Sequence, residues 1–597
     1  MIEHMGHLNA STSLKNLFRS APTIPFVPPM DRCIHCATVL QVWKTRNPTV
    51  ATLAIGTFRA HETILHCPLC GRKYTSEELR KLKPYRSRYG YDVIVYVGKA
   101  MFLRCRNEGE IQQELVDKRV NISEREISYL AKKFIIYLSV AHKQSQHRIR
   151  ELLGIGGGYI LHLDATCEGE SPHLMCGLDE ITEIVLENEK MSSEKAETII
   201  PFLKKIQKAY GDPLATVHDM GKGISRAVEK VLPDTPDFIC HYHFLAAVGK
   251  NLLSTENDTL RKRLSKHGIQ GKLRMRAREL KRKVEKSQEL VPSLLKCLEQ
   301  KSLEGCAVDL MPALVTYALV LWALAGKKQG NGYGFPFDRP YLSFYGRLKA
   351  LHPMLTKLNA VRLSGKKKDN KPYLTIIRDL IDTMDDATLR KAADQMAQKA
   401  SVFDKLRKAM RIALPAGTQG INDRGSNEQM STIAQRVEKF CDGVEGDEAL
   451  SAKQEYKNMI AQIKEYWKKL FCDPITVRTP GGIIQIQPHR TNNILEQFFR
   501  SLKRVYRKKS GMNALEKIMK AMPANTPLVK NLNDPQYMRI LLDGKASLEE
   551  RFAEIDARLI RKGLAKLSVN SDKVPPRIKK LIRRTDFPGQ LVAIFTG

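Results

Sequence analysis

Two short apolar runs that each end in an aspartate restrict the fold of this chain more than any other feature. The run that begins at Tyr159 ends at Asp164, and the run that begins at Leu214 ends at Asp219. Short apolar runs of this kind are typical of strands. Because functional groups in open α/β sheets collect at the carboxyl ends of strands, we expect both aspartates at one edge of such a sheet.

The pattern around these runs predicts an RNase H-like α/β core. Strand-like stretches at Tyr159–Ala165, His173–Gly177 and Glu183–Leu186 precede a helix at Ser193–Tyr210, and further strands and helices alternate as far as Leu253. Three antiparallel strands, a helix, and then more strands and helices is the order of that fold.

The chain has 597 residues, too many for one core, so several domains are expected. The predicted segments, in chain order, are a flexible N-terminus (1–30), a zinc ribbon (31–80), a helix-turn-helix DNA-binding domain (81–153), the first part of the α/β core (154–253), a large all-α insertion (254–480), the second part of the core (481–540) and a basic C-terminal tail (541–597). Several prolines lie close together in the N-terminal segment. The stretch Thr479–Gln487 resembles a hairpin that returns the chain to the core, and Gly365–Lys371 is a basic loop.

Two Cys-x2-Cys pairs predict a zinc site. The pairs are Cys33-Ile-His-Cys36 and Cys67-Pro-Leu-Cys70. Four thiolates in this arrangement suit a tetrahedral structural Zn²⁺, and alternating stretches at Val50–Ile55 and Glu62–His66 would supply the strands of a ribbon. Reduced thiols without metal are the alternative, and the sequence does not separate a purely structural ribbon from one that contacts DNA.

The residues from 107 to 140 have the pattern of a helix-turn-helix. A short helix at Glu108–Lys118 is followed by Ser123-Glu-Arg-Glu126, a capping-box sequence that opens a second helix. The basic side chains of the second helix, Arg125, Lys132 and Lys133, lie off its apolar face and are candidates for DNA contact. Many helical pairs of this shape do not touch DNA, and that alternative stays open.

The charge of the chain favours a polyanionic partner. It carries 98 Lys and Arg against 64 Asp and Glu, a formal net charge of +34, which predicts binding to nucleic acid. A merely basic protein is the alternative. The N-terminus lacks a signal-peptide pattern, and the apolar run near Leu310 to Ala325 is short for a membrane span. These features predict a cytoplasmic, nucleoid-associated protein with no membrane partner.

A third acidic residue, Glu496, lies in a basic helical stretch. Together with Asp164 and Asp219 it could hold two Mg²⁺ or Mn²⁺ ions, the arrangement by which in-line displacement at phosphodiesters is catalysed. Each carboxylate also has a structural alternative: Asp164 as a turn cap, Asp219 as a helix N-cap and Glu496 as half of a capping box. Basic residues recur along the same helix and could follow a phosphate backbone or form a solvated face: Arg500, Lys503, Arg504, Arg507 and Lys508.

Four motifs together resemble the DDE transposases of bacterial insertion sequences and, more widely, the Mutator-like and hAT transposases. They are Leu163-Asp164-Ala-Thr, His218-Asp219-Met-Gly-Lys-Gly, Cys240-His-Tyr-His243, and Asn492-Asn-Ile-Leu-Glu496 through Arg507-Lys-Lys-Ser-Gly511. The resemblance covers about 158–253 and 485–515. Cys240 and His243 match the Cys-x2-His signature of the family, with a buried thiol and a core histidine as the alternative.

The resemblance implies metal-dependent cleavage at the ends of a mobile element, followed by strand transfer into target DNA. It also implies an RNase H-like core, catalysis by Asp164, Asp219 and Glu496, and a homodimer or larger synaptic oligomer. Two other functions remain open on the sequence: a catalytically silent DNA-binding regulator, and a nuclease of the same fold that hydrolyses without joining.

Overall fold

The computed structural model describes residues 21–287, 290–301, 311–328, 330–361, 371–414, 429–511, 514–569 and 576–596. The chain divides into two compact units. Unit 1 comprises Met1–Asp237, Ile475–Pro488 and Asn492–Gly597, and unit 2 comprises Phe238–Pro474 and His489–Thr491. The segments predicted as a ribbon and as a helix-turn-helix domain belong to the same unit as most of the predicted core, and the expected boundaries near residues 80 and 153 are not unit boundaries. The predicted basic loop lies almost entirely outside the described residues.

The N-terminal sheet of unit 1 is built around one long strand. Its strands are β1 (Thr23–Phe26), β2 (Gln41–Arg46), β3 (Thr49–Thr52), β4 (Gly56–His66) and β5 (Lys73–Tyr74). β4 pairs with each of the other four, in parallel with β1 and antiparallel with the rest. Ile24, Phe26 and Phe58 form its buried core.

Strand β1 corrects the prediction of a flexible segment over residues 1–30. Residues 1–20 lie outside the described part of the chain, but Thr23–Phe26 pair with Arg59–Glu62. Pro25 is tolerated there because β1 is an edge strand, where a missing N–H leaves no ladder bond unmade.

Five helices follow in unit 1, and the longest is a core helix. They are α1 (Glu77–Leu82), α2 (Tyr91–Phe102), α3 (Glu108–Asp117), α4 (Glu124–Gln144) and α5 (Gln146–Ile155). Ser123 caps α4 by accepting from the N–H of Glu126, whereas the reciprocal capping box forms at α3, between Asn107 and Glu110. Twelve of the 21 residues of α4 are buried. Only part of this helix is therefore open to a DNA groove.

A second sheet holds the two aspartate runs. Its elements are β6 (Ile160–Thr166), β7 (His173–Asp179), β8 (Val185–Met191), α6 (Ala196–Tyr210), β9 (Ala215–His218), α7 (Lys222–Val231) and β10 (Asp237–Ile239). The strand order is β10-β9-β6-β7-β8. β6, β7 and β8 pair antiparallel, and β9 lies parallel to β6. The first two predicted strands are confirmed almost to the residue, and β8 begins two residues after the predicted third.

After β10, the described residues of unit 2 form helices that are joined by loops. Its helices are α8 (His241–Lys266), α9 (Ile269–Val284), α10 (Leu290–Gln300), α11 (Met311–Ala325), α12 (Pro340–Val361), α13 (Lys371–Met384), α14 (Ala387–Met410), α15 (Met430–Glu445), α16 (Glu448–Ser451), α17 (Gln454–Glu465) and α18 (Trp467–Leu470). α8 packs along α14, and Leu253 and Phe403 are among their fully buried side chains. The predicted start of the insertion at residue 254 falls inside α8, so the helical unit begins earlier than expected.

The last part of the chain returns to unit 1. It forms β11 (Ile475–Thr479), β12 (Gly482–Ile486), α19 (Asn493–Ser510), α20 (Glu516–Ala521), a 3-10 helix (Thr526–Asn533), α21 (Pro535–Leu542), α22 (Leu548–Ala553), α23 (Ala557–Val569), α24 (Pro576–Leu581) and α25 (Phe587–Thr596). β11 and β12 form the predicted hairpin, and its turn lies at Pro480-Gly481. The hairpin begins at Ile475, before the predicted start at Thr479.

The segment predicted as a basic tail from residue 541 is partly core. Leu548 and Phe552 of α22 are buried in the main hydrophobic cluster of unit 1. The ring of Phe552 stacks on Tyr137 of α4 at a centroid distance of 4.9 Å. The prediction was wrong for this stretch because the high Lys and Arg content of its surroundings conceals a short amphipathic helix.

No helix among the described residues combines the length and the apolarity needed to cross a lipid bilayer.

Candidate functional site

Asp164 and Asp219 lie at the carboxyl ends of neighbouring parallel strands. Leu163 of β6 is in register with His218 of β9, and each aspartate is the next residue along its chain. Side chains in register on parallel strands point to the same face of the sheet. The two carboxyl groups therefore belong to one edge and one face of the sheet, and both side chains are partly exposed.

A buried hydrogen-bond network ties helix α19 to this face. The amide nitrogen of Asn492 donates to the carbonyl of Leu163 at 2.9 Å, and its oxygen accepts from Nδ1 of His162 at 2.9 Å. Nε2 of His162 lies 2.7 Å from Oε2 of Glu180. His162 and Asn492 are completely buried. Because alternate residues of a strand share a face, Asp164 points the same way as His162, toward α19.

Glu496 lies on the face of α19 that contacts β6 and the residues after it. Asn492, Glu496, Lys503 and Arg507 are spaced by four, seven and four residues, so they share one face of a helix. Asn492 contacts Leu163 before Asp164, and Nζ of Lys503 donates to the carbonyl of Cys167 after it, at 3.2 Å. The face of α19 that carries Glu496 therefore contacts β6, the strand that carries Asp164, and the residues after it.

Glu168 is an acidic residue of this region that the sequence reasoning missed. Its carboxylate lies 3.3 Å from Nζ of Lys503 and 3.7 Å from Nη2 of Arg507. These two cations of the predicted phosphate track are therefore partnered within the protein. Arg500, Arg504 and Lys508 form a separate exposed row, spaced by four residues along the same helix.

The end of β9 is held by a second histidine. His218 is buried, with Nδ1 2.5 Å from the carbonyl of Asp219 and Nε2 2.8 Å from Oδ1 of Asp237. Thr216 donates to the same carboxylate oxygen at 2.7 Å. These contacts fix the backbone at Asp219, which limits how far its carboxyl group can move.

The three predicted metal ligands all offer oxygen atoms. Carboxylates on a strand, on a strand end and on a helix match the ligand preference of Mg²⁺ or Mn²⁺, which bind few protein groups and keep several waters. One oxygen of Asp164 accepts from the N–H of Ala165 at 2.7 Å, which orients the group. Burial raises the pKa of the neighbouring Cys176 thiol, and the charge of Asp164 adds to that effect.

The four predicted zinc ligands come together between β2, β4 and β5. The sulfur atoms of Cys33, Cys36, Cys67 and Cys70 all lie within 4.8 Å of one another. The Cys33–Cys70 distance is 3.6 Å and the Cys36–Cys67 distance is 3.3 Å. Zn–S bonds of about 2.3 Å in a tetrahedron require sulfur–sulfur distances of about 3.8 Å, so the cage has nearly the size a zinc ion needs.

Hydrogen bonds favour thiolates at two positions of this cage. The hydroxyl of Tyr74, 3.0 Å from the sulfur of Cys33, lowers the pKa of that thiol to about 5. The backbone N–H of Cys70 lowers the pKa of Cys67. The N–H of Arg72 also acts to lower the pKa of Cys70, but burial and the neighbouring sulfurs outweigh it and raise that pKa to about 11. Four sulfur atoms at this spacing, two of them favoured as thiolates, fit a metal site.

The predicted DNA-contacting side chains of α4 differ in exposure. Arg125 and Lys132 are exposed, but Lys133 is buried with 7% of its surface accessible. Burial lowers the pKa of Lys133 to about 8. The prediction of DNA contact is wrong for Lys133, because its ammonium does not reach the surface where a phosphate would lie.

Cys240 and His243 belong to unit 2, where they lie at the start of α8. Cys240 is the N-cap residue of that helix and is completely buried, and His243 is partly exposed in its first turn. Their spacing of three residues puts them on one side of the helix.

A scan against models of protein families found no match to this chain, and a search of curated proteins found no similar sequence.

Proposed function

We propose that this protein is a DDE transposase that cleaves DNA at the ends of a mobile element and joins the freed ends to target DNA. The observation that carries the proposal is the placement of the three carboxylates. Asp164 and Asp219 end adjacent parallel strands, and Glu496 lies on the face of α19 that Asn492 and Lys503 hold against β6.

The order of strands supports an RNase H-like core. In chain order β6, β7 and β8 form an antiparallel meander, and β9 and β10 add to the other side of β6. This order places the first and fourth strands side by side, so that Asp164 and Asp219 meet at the carboxyl ends where sites in α/β sheets form.

Asp164, Asp219 and Glu496 would hold two Mg²⁺ or Mn²⁺ ions. Such ions would supply polarisation of the scissile phosphate, activation of the attacking oxygen and stabilisation of the leaving 3′-oxygen. The residues of the protein orient the carboxylates: the His162–Asn492 pair holds α19, and His218 with Asp237 holds the backbone at Asp219.

Five predicted basic residues that are exposed and do not pair with Glu168 supply the contact with double-stranded DNA. They are Arg125 and Lys132 on α4 and Arg500, Arg504 and Lys508 on α19. Phosphate contacts of this kind position a duplex without reading its sequence. The four cysteines would hold a structural Zn²⁺. A homodimer or larger synaptic oligomer, and a location at the bacterial nucleoid in the cytoplasm, belong to the same proposal.

A cleavage and strand-transfer assay tests the proposal. The substrate is labelled duplex DNA that carries the ends of the element encoding the chain, with Mg²⁺ or Mn²⁺, and the wild type is compared with Asp164→Asn. We expect metal-dependent nicks at the ends and joined products, both lost in the variant. Binding without cleavage by the wild type would point to a silent regulator, and cleavage without joining of pre-cut ends would point to a nuclease.

A further inference from the structure

An exposed tryptophan lies on the outer strand of the cysteine-containing sheet. All six residues of β2 are exposed, and β2 pairs on one side only, with β4. The register of this pair shifts between Val42 and Lys44, so Trp43 occupies a β-bulge. Bulges redirect side chains and are frequent beside functional sites. Here the bulge presents a large ring with 42% of its surface accessible.

Two lysines place their ammonium groups on this ring. Nζ of Lys73 lies 3.4 Å from the ring centroid of Trp43, and Nζ of Lys44 lies 4.1 Å from it. Lys73 reaches the ring from β5, which pairs with β4 at His66 opposite Gln41 of β2. We call these three side chains the Trp43 cluster.

The cluster brings two like charges together at the surface. Each cation is attracted by the ring, but the two ammonium groups repel each other, and within the described residues neither lysine forms an ion pair with an acidic side chain. From 31 to 74 the chain has two acidic residues, and Glu62 is buried against Arg46 at 2.6 Å. The basic residues of the same stretch are Arg32, Lys44, Arg46, Arg59, Arg72 and Lys73. An anion bound between the two lysines relieves this repulsion.

We propose that the Trp43 cluster binds the phosphate backbone of duplex DNA. The inference rests on the proposed function and assigns a DNA-binding surface to the ribbon. The ring holds both ammonium groups in place before binding, which lowers the conformational entropy lost when a phosphate is bound. Pairing of β2 with a strand of another protein is disfavoured, because lysine and arginine on an exposed edge oppose strand addition.

The dependence of DNA affinity on salt concentration measures this contact. The full-length protein with zinc bound is titrated with a labelled duplex of arbitrary sequence at several salt concentrations. All variants carry Asp164→Asn, so that the duplex is not consumed. Lys44→Gln/Lys73→Gln is expected to reduce the slope of log K against log salt by about 1.8, since each phosphate contact contributes about 0.9.

Two further variants separate charge from placement. Trp43→Ala removes the ring that holds the ammonium groups, and we expect about fivefold weaker binding at low salt. Because both lysines remain, the slope of log K against log salt is expected to be nearly unchanged. Lys81→Gln/Lys99→Gln removes the same charge from two other exposed lysines of unit 1 and is expected to leave the slope nearly unchanged. Zinc content and the thermal midpoint are measured for each variant to show that the ribbon is intact.

The outcomes distinguish this inference from the proposed function. A slope that is the same in Lys44→Gln/Lys73→Gln as in the parent, or that falls equally in the control pair, overturns the role of the Trp43 cluster and leaves the transposase proposal standing. Absence of DNA binding by the parent protein overturns both. Loss of self-association in Trp43→Ala with no effect on DNA binding would assign β2 to contact between copies of the chain and also overturn the inference.

Discussion

Asn492 links the strand that carries Asp164 to the helix that carries Glu496. Its side chain donates to Leu163 and accepts from His162, and all three groups are buried. An amide side chain can donate one hydrogen bond and accept another at the same time. An apolar residue in place of Asn492 would make neither bond to the Leu163 carbonyl or to His162. In the proposed function Asn492 is a positioning residue for Glu496 rather than a catalytic one.

We predict that Asn492→Ala lowers both stability and cleavage. Without the amide, the buried Leu163 carbonyl and the buried His162 N–H each lose a hydrogen bond. Each loss lowers the free energy of unfolding by at most about 1–3 kcal/mol. Urea unfolding measures the free energy, and the assay above measures cleavage. Asn493→Ala, one residue later and only partly buried, is the control and is expected to cost less than about 0.5 kcal/mol. Equal effects from the two substitutions would contradict the role of Asn492.

We predict that Asp164→Asn, Asp219→Asn and Glu496→Gln each abolish cleavage while leaving folding and DNA binding nearly intact. The substituted amides keep the shape of the side chain but lose the charge that binds a divalent cation. Single-turnover cleavage, urea unfolding and DNA titration are measured for each variant. Substantial cleavage by any one of them would remove that residue from the metal site.

At the scale of the element, α4 shows how burial divides side chains that look alike in the sequence. Lys132 and Lys133 are adjacent, yet the first is exposed and the second is buried among the helices that pack around α4. Since the pKa of Lys133 is about 8 in the folded protein and 10.5 normally, the unfolded chain binds this proton more tightly. Lys133 therefore costs stability below about pH 8, and the cost falls as the pH rises from about 8 toward 10.5.

We predict that Lys133→Met stabilises unit 1 by about 1–3 kcal/mol at neutral pH without weakening DNA binding, because it removes a buried charge. The matched variant Lys132→Met is expected to change stability by less than about 0.5 kcal/mol and to weaken DNA binding. Urea unfolding at several pH values and DNA titration check both. A loss of DNA affinity in Lys133→Met alone would restore this residue to the DNA surface.

At the same scale, the proposal that the four cysteines hold zinc can be tested directly. We predict that Cys67→Ser/Cys70→Ser releases zinc and weakens recognition of the element ends, because two oxygen atoms replace two thiolates of a four-sulfur cage. Elemental analysis gives the zinc content. Cys105→Ser, a free thiol outside the cage, is the control and is expected to retain all of the metal. An unchanged zinc content in the double variant would exclude the cage as the site.

At the scale of the whole molecule, unit 1 is assembled from segments on both sides of a helical insertion. Nδ1 of His142 lies 2.9 Å from the hydroxyl of Tyr537, and Arg551 donates to Gln144 at 2.9 Å. Burial lowers the pKa of His142 to about 4, so it stays neutral in this network. The cost of closing a long loop grows only with the logarithm of its length, so a large insertion is compatible with a stable core.

We predict that Phe552→Ala destabilises unit 1 by about 3–5 kcal/mol, because a completely buried ring that contacts Tyr137 and Phe134 is replaced by a cavity. Removal of all residues after Val569 deletes α24 and α25, of whose described side chains none is buried, and is expected to change stability by less than about 0.5 kcal/mol. Urea unfolding compares the two proteins. A small effect of Phe552→Ala would mean that α22 is peripheral to the core.

Local patterns were sufficient to predict many of the regular elements, although not β1 or α22. The strands at Asp164 and before Asp219, the helices of the insertion, the hairpin and the helix bearing Glu496 follow from hydrophobic periodicity and turn residues, which depend on neighbours a few positions away. The grouping of the four cysteines also follows from spacing, because each Cys-x2-Cys pair already brings two sulfurs together.

What the sequence by itself determined about this protein is therefore the type of many of its elements and the candidates for its functional site. Only the tertiary structure decided which of them are buried and which lie side by side. It placed Lys133 inside unit 1, put Phe552 in the core rather than in a tail, paired Lys503 and Arg507 with Glu168, and aligned Trp43 with Lys73 across three strands. The physical reason is that burial and ion pairing depend on partners that lie far along the chain, which no local pattern encodes.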